Sequence, residues 1–239
     1  MLVVLTIVII SIVIVVHELG HFLTAVFFKT KVLEFSIGMG PKIFGYNKFS
    51  IRLLPLGGYV KLDEESLENT SKPRQIVIML AGIFMNFLLA YILILYFSKF
   101  DVVKAFVSLT GVIYKMVEAF LHITGLKDLS GPIGIHSAVV STTKALGIFK
   151  GSAFLLIIIS INLGIINLLP IPGLDGSRIY LTLIKMLGVK IDKKLEEKIY
   201  VIGFLFLITL TIIVMIQDVF KYIWGVWNVR KNKGRNIKG

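Results

Sequence analysis

The chain has 239 residues, 56% of them hydrophobic, with a mean hydropathy of +0.88, which marks an integral membrane protein rather than a soluble domain. Its 26 Lys and Arg against 14 Asp and Glu give a formal net charge of +12, but the basic residues are scattered among loops between apolar runs, so the lipid bilayer with its anionic head groups is the expected partner and nucleic acid is not. The absence of cysteine excludes disulfides, thiolate ligands and a cysteine nucleophile, and leaves any metal to His, Asp, Glu or water.

The first apolar run, residues 2–28, is long enough to span a bilayer. It lacks the basic start and the small-residue cleavage site of a signal peptide, so it reads as a retained helix. Near its end stands His17-Glu18-Leu19-Gly20-His21. On a helix this pattern puts two imidazoles at i and i+4 on one face, the spacing that chelates zinc, with Glu18 beside them as a general base. Ionisable groups inside a spanning segment are costly, so the cluster reads as a functional site at membrane depth.

Residues 29–74 break the helical pattern. Phe35-Ser36-Ile37-Gly38-Met39-Gly40-Pro41 and Phe49-Ser50-Ile51-Arg52-Leu53-Leu54-Pro55 alternate like short strands, and Leu56-Gly57-Gly58-Tyr59-Val60 follows. A small hairpin-rich sheet, about 33–62, is expected at or dipping into the membrane. Such backbone is tolerated at that depth only against protein or a watery cavity. A second span follows at about 76–97, with Ala81-Gly82 near its start and Asn86 within it. Residues 101–126 read as an interfacial helix and Ser130-Gly131-Pro132-Ile133-Gly134 as a loop leading into a helix over 136–146. The third span, about 153–172, runs into a Pro-rich stretch ending near Leu174. Residues 185–198 read as a charged surface helix, 200–220 as the fourth span, and 230–239 as a basic, disordered tail beyond one domain of residues 1–229. The expected fold class is therefore an all-α integral membrane protein with about four transmembrane helices and a membrane-associated β-hairpin after the first. A weak excess of Lys and Arg in the loops after the first and third spans favours an external N-terminus.

Two histidines leave a catalytic zinc site one protein ligand short. Asp175 is the best candidate, in Asn167-Leu168-Leu169-Pro170-Ile171-Pro172-Gly173-Leu174-Asp175-Gly176. Pro170 and Pro172 cannot continue a helix, and Gly173 and Gly176 let the chain turn closely around the carboxylate. A turn-capping role for Asp175 is the competing reading. His122 and His136 read as ordinary exposed histidines. The Asn167 amide could serve an oxyanion or substrate carbonyl, or equally an interhelical hydrogen bond. Asn86 and Asn162 read first as packing amides.

Together the two motifs resemble the site-2 protease family of intramembrane zinc metalloproteases, most nearly the bacterial regulator-of-sigma-E type. Residues 35–41, Pro55-Leu56-Gly57-Gly58-Tyr59-Val60-Lys61 and Leu129-Ser130-Gly131-Pro132-Ile133-Gly134 support the resemblance. It implies that His17, His21 and Asp175 hold zinc, that Glu18 is the base and that Asn167 contacts substrate. It further implies that residues 53–61, with Leu53, Gly57, Gly58 and Tyr59, belong to a hairpin presenting an edge to an unwound substrate. The family type usually carries one or two PDZ domains between the second and third conserved helices. Here residues 98–151 are too few for such a domain, so no PDZ gate is expected. Gly176-Ser177-Arg178 also departs from the Gly-Gly-His of many relatives.

The expected function is cleavage of a single-span membrane protein in or near its transmembrane helix, in a bacterial cytoplasmic membrane. Anti-sigma-factor-like proteins or signal-peptide remnants are the substrates the resemblance implies. The rival readings are a membrane zinc transporter or sensor, disfavoured because the apolar interior offers almost no further ionisable groups, and an inactive homologue that only binds membrane segments.

Overall fold

The computed structural model describes residues 1–236 apart from residues 123 and 126–130. Along the chain run α1 (Leu2–Phe27), β1 (Val32–Tyr46), β2 (Phe49–Leu62), α2 (Glu64–Asn69), α3 (Lys72–Phe97), α4 (Val102–Leu121), α5 (Pro132–Leu146), α6 (Ile148–Asn167), α7 (Asp175–Met186) and α8 (Lys193–Asn236). Among the described residues four helices are long and apolar enough to cross a membrane: α1, α3, α6 and the part Lys193–Lys221 of α8.

Local chemistry sets the boundaries. Helix α1 ends where Lys29 takes φ 60 and the Thr30 N–H reaches back to the Ala25 carbonyl at 2.9 Å. Pro73 and Pro132 stand in the first turns of α3 and α5, where a missing N–H costs nothing. The Asp101 carboxylate caps α4 by accepting the Lys104 N–H at 2.9 Å. Pro170, Pro172 and Gly173 (φ 100) break the chain between α6 and α7.

Four expectations need correction. Residues 185–198 are not one helix: α7 ends at Met186, Gly188 (φ 90) turns the chain, and α8 begins at Lys193. Charge composition hid a glycine break and the amphipathic helix α7 before it. Helix α5 starts at Pro132 rather than near residue 136, and α6 spans Ile148–Asn167, earlier at both ends than expected, because Gly147 (φ 79) separates the two helices. Residues 230–236, expected as disordered, continue α8 without a proline to stop it. Residues 237–239 lie outside the described part, as do Leu129 and Ser130 of the 129–134 motif.

The hairpin is more folded than two strands suggest. Phe35, Ser36 and Ile37 of β1 have partners on both sides, Val60, Tyr59 and Gly58 on one and Phe49, Ser50 and Ile51 on the other. The sheet therefore curls, and residues 55–62 of β2 form its outer edge toward α1. Ser36 and Ser50 are buried within it, while Ile43, Phe44, Tyr46, Leu53 and Leu54 are exposed, an apolar flank suited to lipid.

Helix α3 lies between α1 and α6. At Gly20 the α1 backbone presses onto that of α3, since an added Cβ would lie 2.6 Å from the Ala81 carbonyl carbon. Ala25, Val32, Ile78, Met79, Ile83 and Ile179 bind α1, β1, α3 and α7 into one apolar cluster beside that seam. Helix α4 buries Leu109 against Ala90, Ile157 and Ile161 of α3 and α6, which gives its apolar face a home. Among the contacts that hold helix α8, Gly203 abuts Pro172, and buried Asp218 accepts the Gly134 N–H at 2.9 Å near the start of α5.

Candidate metal centre

The functional side chains come from α1 and the first residue of α7. His17 Nε2 lies 2.9 Å from Asp175 Oδ2, His21 Nε2 lies 3.2 Å from the same oxygen, and the two Nε2 atoms are 3.1 Å apart. Both imidazoles are buried. Residues 158 positions apart thus meet at one point, brought there by the proline break that swings Asp175 under α1. Bonds of ~2.0–2.1 Å to a tetrahedral cation place ligand atoms about 3.3 Å from one another, within a few tenths of this triangle.

Helix α3 forms the wall behind it. The Ile78 carbonyl lies 2.8 Å from His21 Nδ1, the Asn86 amide nitrogen lies 3.1 Å from His17 Nδ1, and Gly82 stands between them. A Cβ on Gly82 would sit against both ring nitrogens, 2.8 Å from His17 Nε2 and nearer still to His21 Nε2. The missing side chain leaves room at the point where the three ligand atoms converge. Two imidazoles, a carboxylate and the space left by Gly82 fit a divalent metal of zinc's ligand preference. Each outer ring nitrogen has a polar neighbour on α3, where the partners that orient ligating histidines are found.

Glu18 is tied to the hairpin: its Oε2 accepts the Val60 N–H at 2.9 Å. One helix turn pair earlier, Ser11 Oγ donates to the Pro55 carbonyl at 2.6 Å and accepts the Gly57 N–H at 3.2 Å. The edge expected to stand open is therefore engaged by α1 side chains at Pro55, Gly57 and Val60, because buried strand edges must satisfy their backbone groups somewhere. Tyr59 points into the sheet and donates to Glu34 Oε2 at 2.6 Å. Glu34 also accepts from Ser50 at 2.6 Å and from Arg52 at 2.9 Å. The Ser50 and Tyr59 hydroxyls and the Arg52 guanidinium hold the Glu34 carboxyl down at about 2. Gly57 and Gly58 are buried under α1, and Leu53 is exposed on the apolar flank.

Asn167 is the last residue of α6 and is buried, but its side chain makes no hydrogen bond to the cluster. The residue that sequence reasoning undervalued is Asn86, fully buried and facing His17 rather than serving packing alone. Its signal was the spacing Gly82 to Asn86, one helical turn. Asn162 is exposed instead of packed. His122 is exposed as expected, whereas His136 is half-buried and its Nδ1 pairs with the Thr6 hydroxyl at 2.9 Å. Arg178, the departure noted beyond the ligand, pairs with Glu64 at 2.8 Å and lies over the Tyr200 ring, linking α2, α7 and α8.

A multi-pass bundle enclosing two histidines, an aspartate and an adjacent glutamate defines a membrane metallopeptidase architecture. Comparison with known proteins agrees: the model of peptidase family M50 matches residues 5–210, and the chain belongs to that family. It is 28% identical to a protein of Fusobacterium nucleatum over 334 positions, covering 91% of this chain and 98% of the relative. A Clostridium acetobutylicum protein is 26% identical, covering 87% and 94% respectively. A Thermotoga maritima protein is 43% identical over 112 residues, 40% of this chain and 22% of the relative. All three carry the name "Putative zinc metalloprotease". The first alignment is far longer than the 239 residues here, so that relative contains a stretch with no counterpart in this chain.

Proposed function

We propose that the protein is an intramembrane zinc endopeptidase that hydrolyses a peptide bond in or near the transmembrane helix of a single-span membrane protein. The observation that carries this reading is the convergence of His17, His21 and Asp175 beside Glu18, inside a bundle of four membrane-length helices. Family membership and the relatives' names support zinc as the metal. His17, His21 and Asp175 would hold it, and when bound it supplies a Lewis acid for the scissile carbonyl and makes water more acidic.

The chain's own residues do the rest. Glu18 takes the proton of the attacking water and returns it to the leaving amide nitrogen. Its second oxygen is fixed by the Val60 N–H, so the carboxylate keeps one orientation while it works. A substrate helix hides its carbonyls in i to i−4 hydrogen bonds and must unwind before attack. The hairpin edge offers backbone groups for the released strand, which would take over contacts that Ser11 makes at Pro55 and Gly57. Substrates with Gly, Pro or Asn near the cleavage point should be favoured, since these weaken a helix. The buried amide of Asn167 is the candidate contact to the substrate backbone.

The test is reconstitution in lipid vesicles with a panel of single-span substrates, comparing wild type with Glu18→Gln. Wild type is expected to cleave at a site within or beside the span. Glu18→Gln is expected to keep its metal and to lose turnover by about 10²–10⁴-fold. Equal cleavage by the two proteins would reject the base assignment, and no cleavage of any substrate by metal-loaded wild type would reject the peptidase reading.

A further inference from the structure

Helix α3 meets the metal centre through three residues spaced one turn apart, Ile78, Gly82 and Asn86. The first settles the protonation of one ring. A backbone carbonyl can only accept, so the Ile78 oxygen 2.8 Å from His21 Nδ1 requires a proton on that nitrogen and leaves Nε2 with its lone pair. His17 Nε2 lies 3.1 Å from that lone pair and 2.9 Å from the Asp175 carboxylate. For both rings to ligate one cation, His17 too must carry its proton on Nδ1.

Only an acceptor can face that proton, and the group that faces it is the amide of Asn86. As placed, the amide nitrogen lies 3.1 Å from Nδ1, while the amide oxygen is buried with no partner. Amide oxygen and nitrogen exchange places by a half-turn of the terminal torsion and are told apart only by their neighbours. The turn leaves one orphaned group in either orientation, so the count of hydrogen bonds does not choose between them. The ring does. We propose that Asn86 is a positioning residue of the centre: its side-chain carbonyl accepts the His17 Nδ1–H and thereby presents His17 Nε2 as a ligand. The assignment rests on the metal-centre reading above. Asn86 is well placed for it, being fully buried and pinned through its backbone carbonyl by the Ser160 hydroxyl at 2.9 Å.

The test measures zinc affinity of the full chain in detergent, by competition with a chromophoric chelator, and records the visible spectrum of the cobalt(II)-loaded protein. Asn86→Leu keeps the volume and removes the acceptor; it is expected to weaken zinc binding by roughly 10–100-fold and to alter the cobalt spectrum. Asn86→Asp restores an acceptor in the same place and is expected to bind within about threefold of wild type, with the wild-type spectrum. A packing role predicts the reverse order, because a carboxylate fits an apolar helix interface worse than leucine does. Ser160→Ala removes the neighbouring contact without touching the ring and is expected to weaken binding far less than Asn86→Leu does. The proposal is overturned if Asn86→Leu binds zinc as tightly as wild type, if Asn86→Asp binds no tighter than Asn86→Leu, or if Ser160→Ala weakens binding as much as Asn86→Leu. Should Asn86→Leu fail to fold, Asn86→Ala takes its place in the same comparison. A folded wild-type chain that takes up no zinc overturns the metal-centre reading itself, and the proposal with it.

Discussion

At the scale of single residues, Gly82 is the most exacting position in the protein. Any side chain there would occupy the space between His17 and His21, so Gly82→Ala is expected to abolish metal uptake. Overpacking of this kind costs typically ~1–3 kcal/mol, little enough for the helices to stay assembled. Metal analysis beside a thermal melt of the same sample separates the two effects, and a variant that keeps a full complement of zinc would show that the cradle is not the ion's seat. Removing a ligand acts differently: Asp175→Ala keeps the cradle and is expected to lose both zinc and turnover, read by metal content and by cleavage of a reconstituted substrate. Most of this site was legible in the sequence. His17, Glu18 and His21 are local, and helix geometry alone unites them. Asp175 was legible through its prolines and glycines, which announce a break where an apolar run should have continued. Asn86 was not, because an amide in a membrane helix is equally well explained by hydrogen bonding between helices. Its role depends on which side of α3 faces α1, a fact that only packing supplies.

At the scale of elements, the hairpin was legible as β structure from alternation and from Gly and Pro spacing, but its curl was not. The two-sided pairing of residues 35–37 arises from register shifts that no local pattern encodes. The cluster of Glu34, Ser50, Arg52 and Tyr59 staples that curl, and it makes the hairpin sensitive to acid. The Glu34 carboxyl is lowered from the ordinary 4.5 to about 2, so its stabilising contribution is complete above about pH 4.5 and is lost as the pH falls through about 2. Hydrogen exchange of the residue 32–62 amides, referenced at each pH to unfolded-peptide rates, is expected to show protection falling over that window in wild type. Glu34→Gln should be less protected at pH 7 and show no such fall. An identical pH profile in the two proteins would mean that the cluster does not hold the sheet. Helix α7 escaped notice for another reason. Its apolar face is short, and the charges of 185–198 lie on both sides of Gly188, where the chain in fact turns.

At the scale of the whole molecule, four spans were legible because length and hydropathy alone define a membrane crossing. How the spans are held together was not. Helix α8 is tied to the rest by contacts far apart in sequence, among them Gly203 against Pro172, Asp218 at the start of α5 and Tyr200 under Arg178. The second places a carboxylate near a helix N-terminus, where the backbone dipole favours it. Asp218→Leu removes the acceptor for the half-buried Gly134 N–H and is expected to cost about 1–3 kcal/mol, seen as a lower melting temperature in detergent. An unchanged melt would assign the attachment of α8 to its other contacts.

A carboxylate has two oxygens, and in Glu18 the strand has claimed one of them. A proton that the side chain accepts and later gives up is carried most easily on the oxygen left free, and the direction in which that atom points is set by the hairpin as well as by α1. On the function proposed above, the hairpin is thus also the rudder of the chemistry: a slight tilt of the sheet would re-aim Glu18 without moving either histidine.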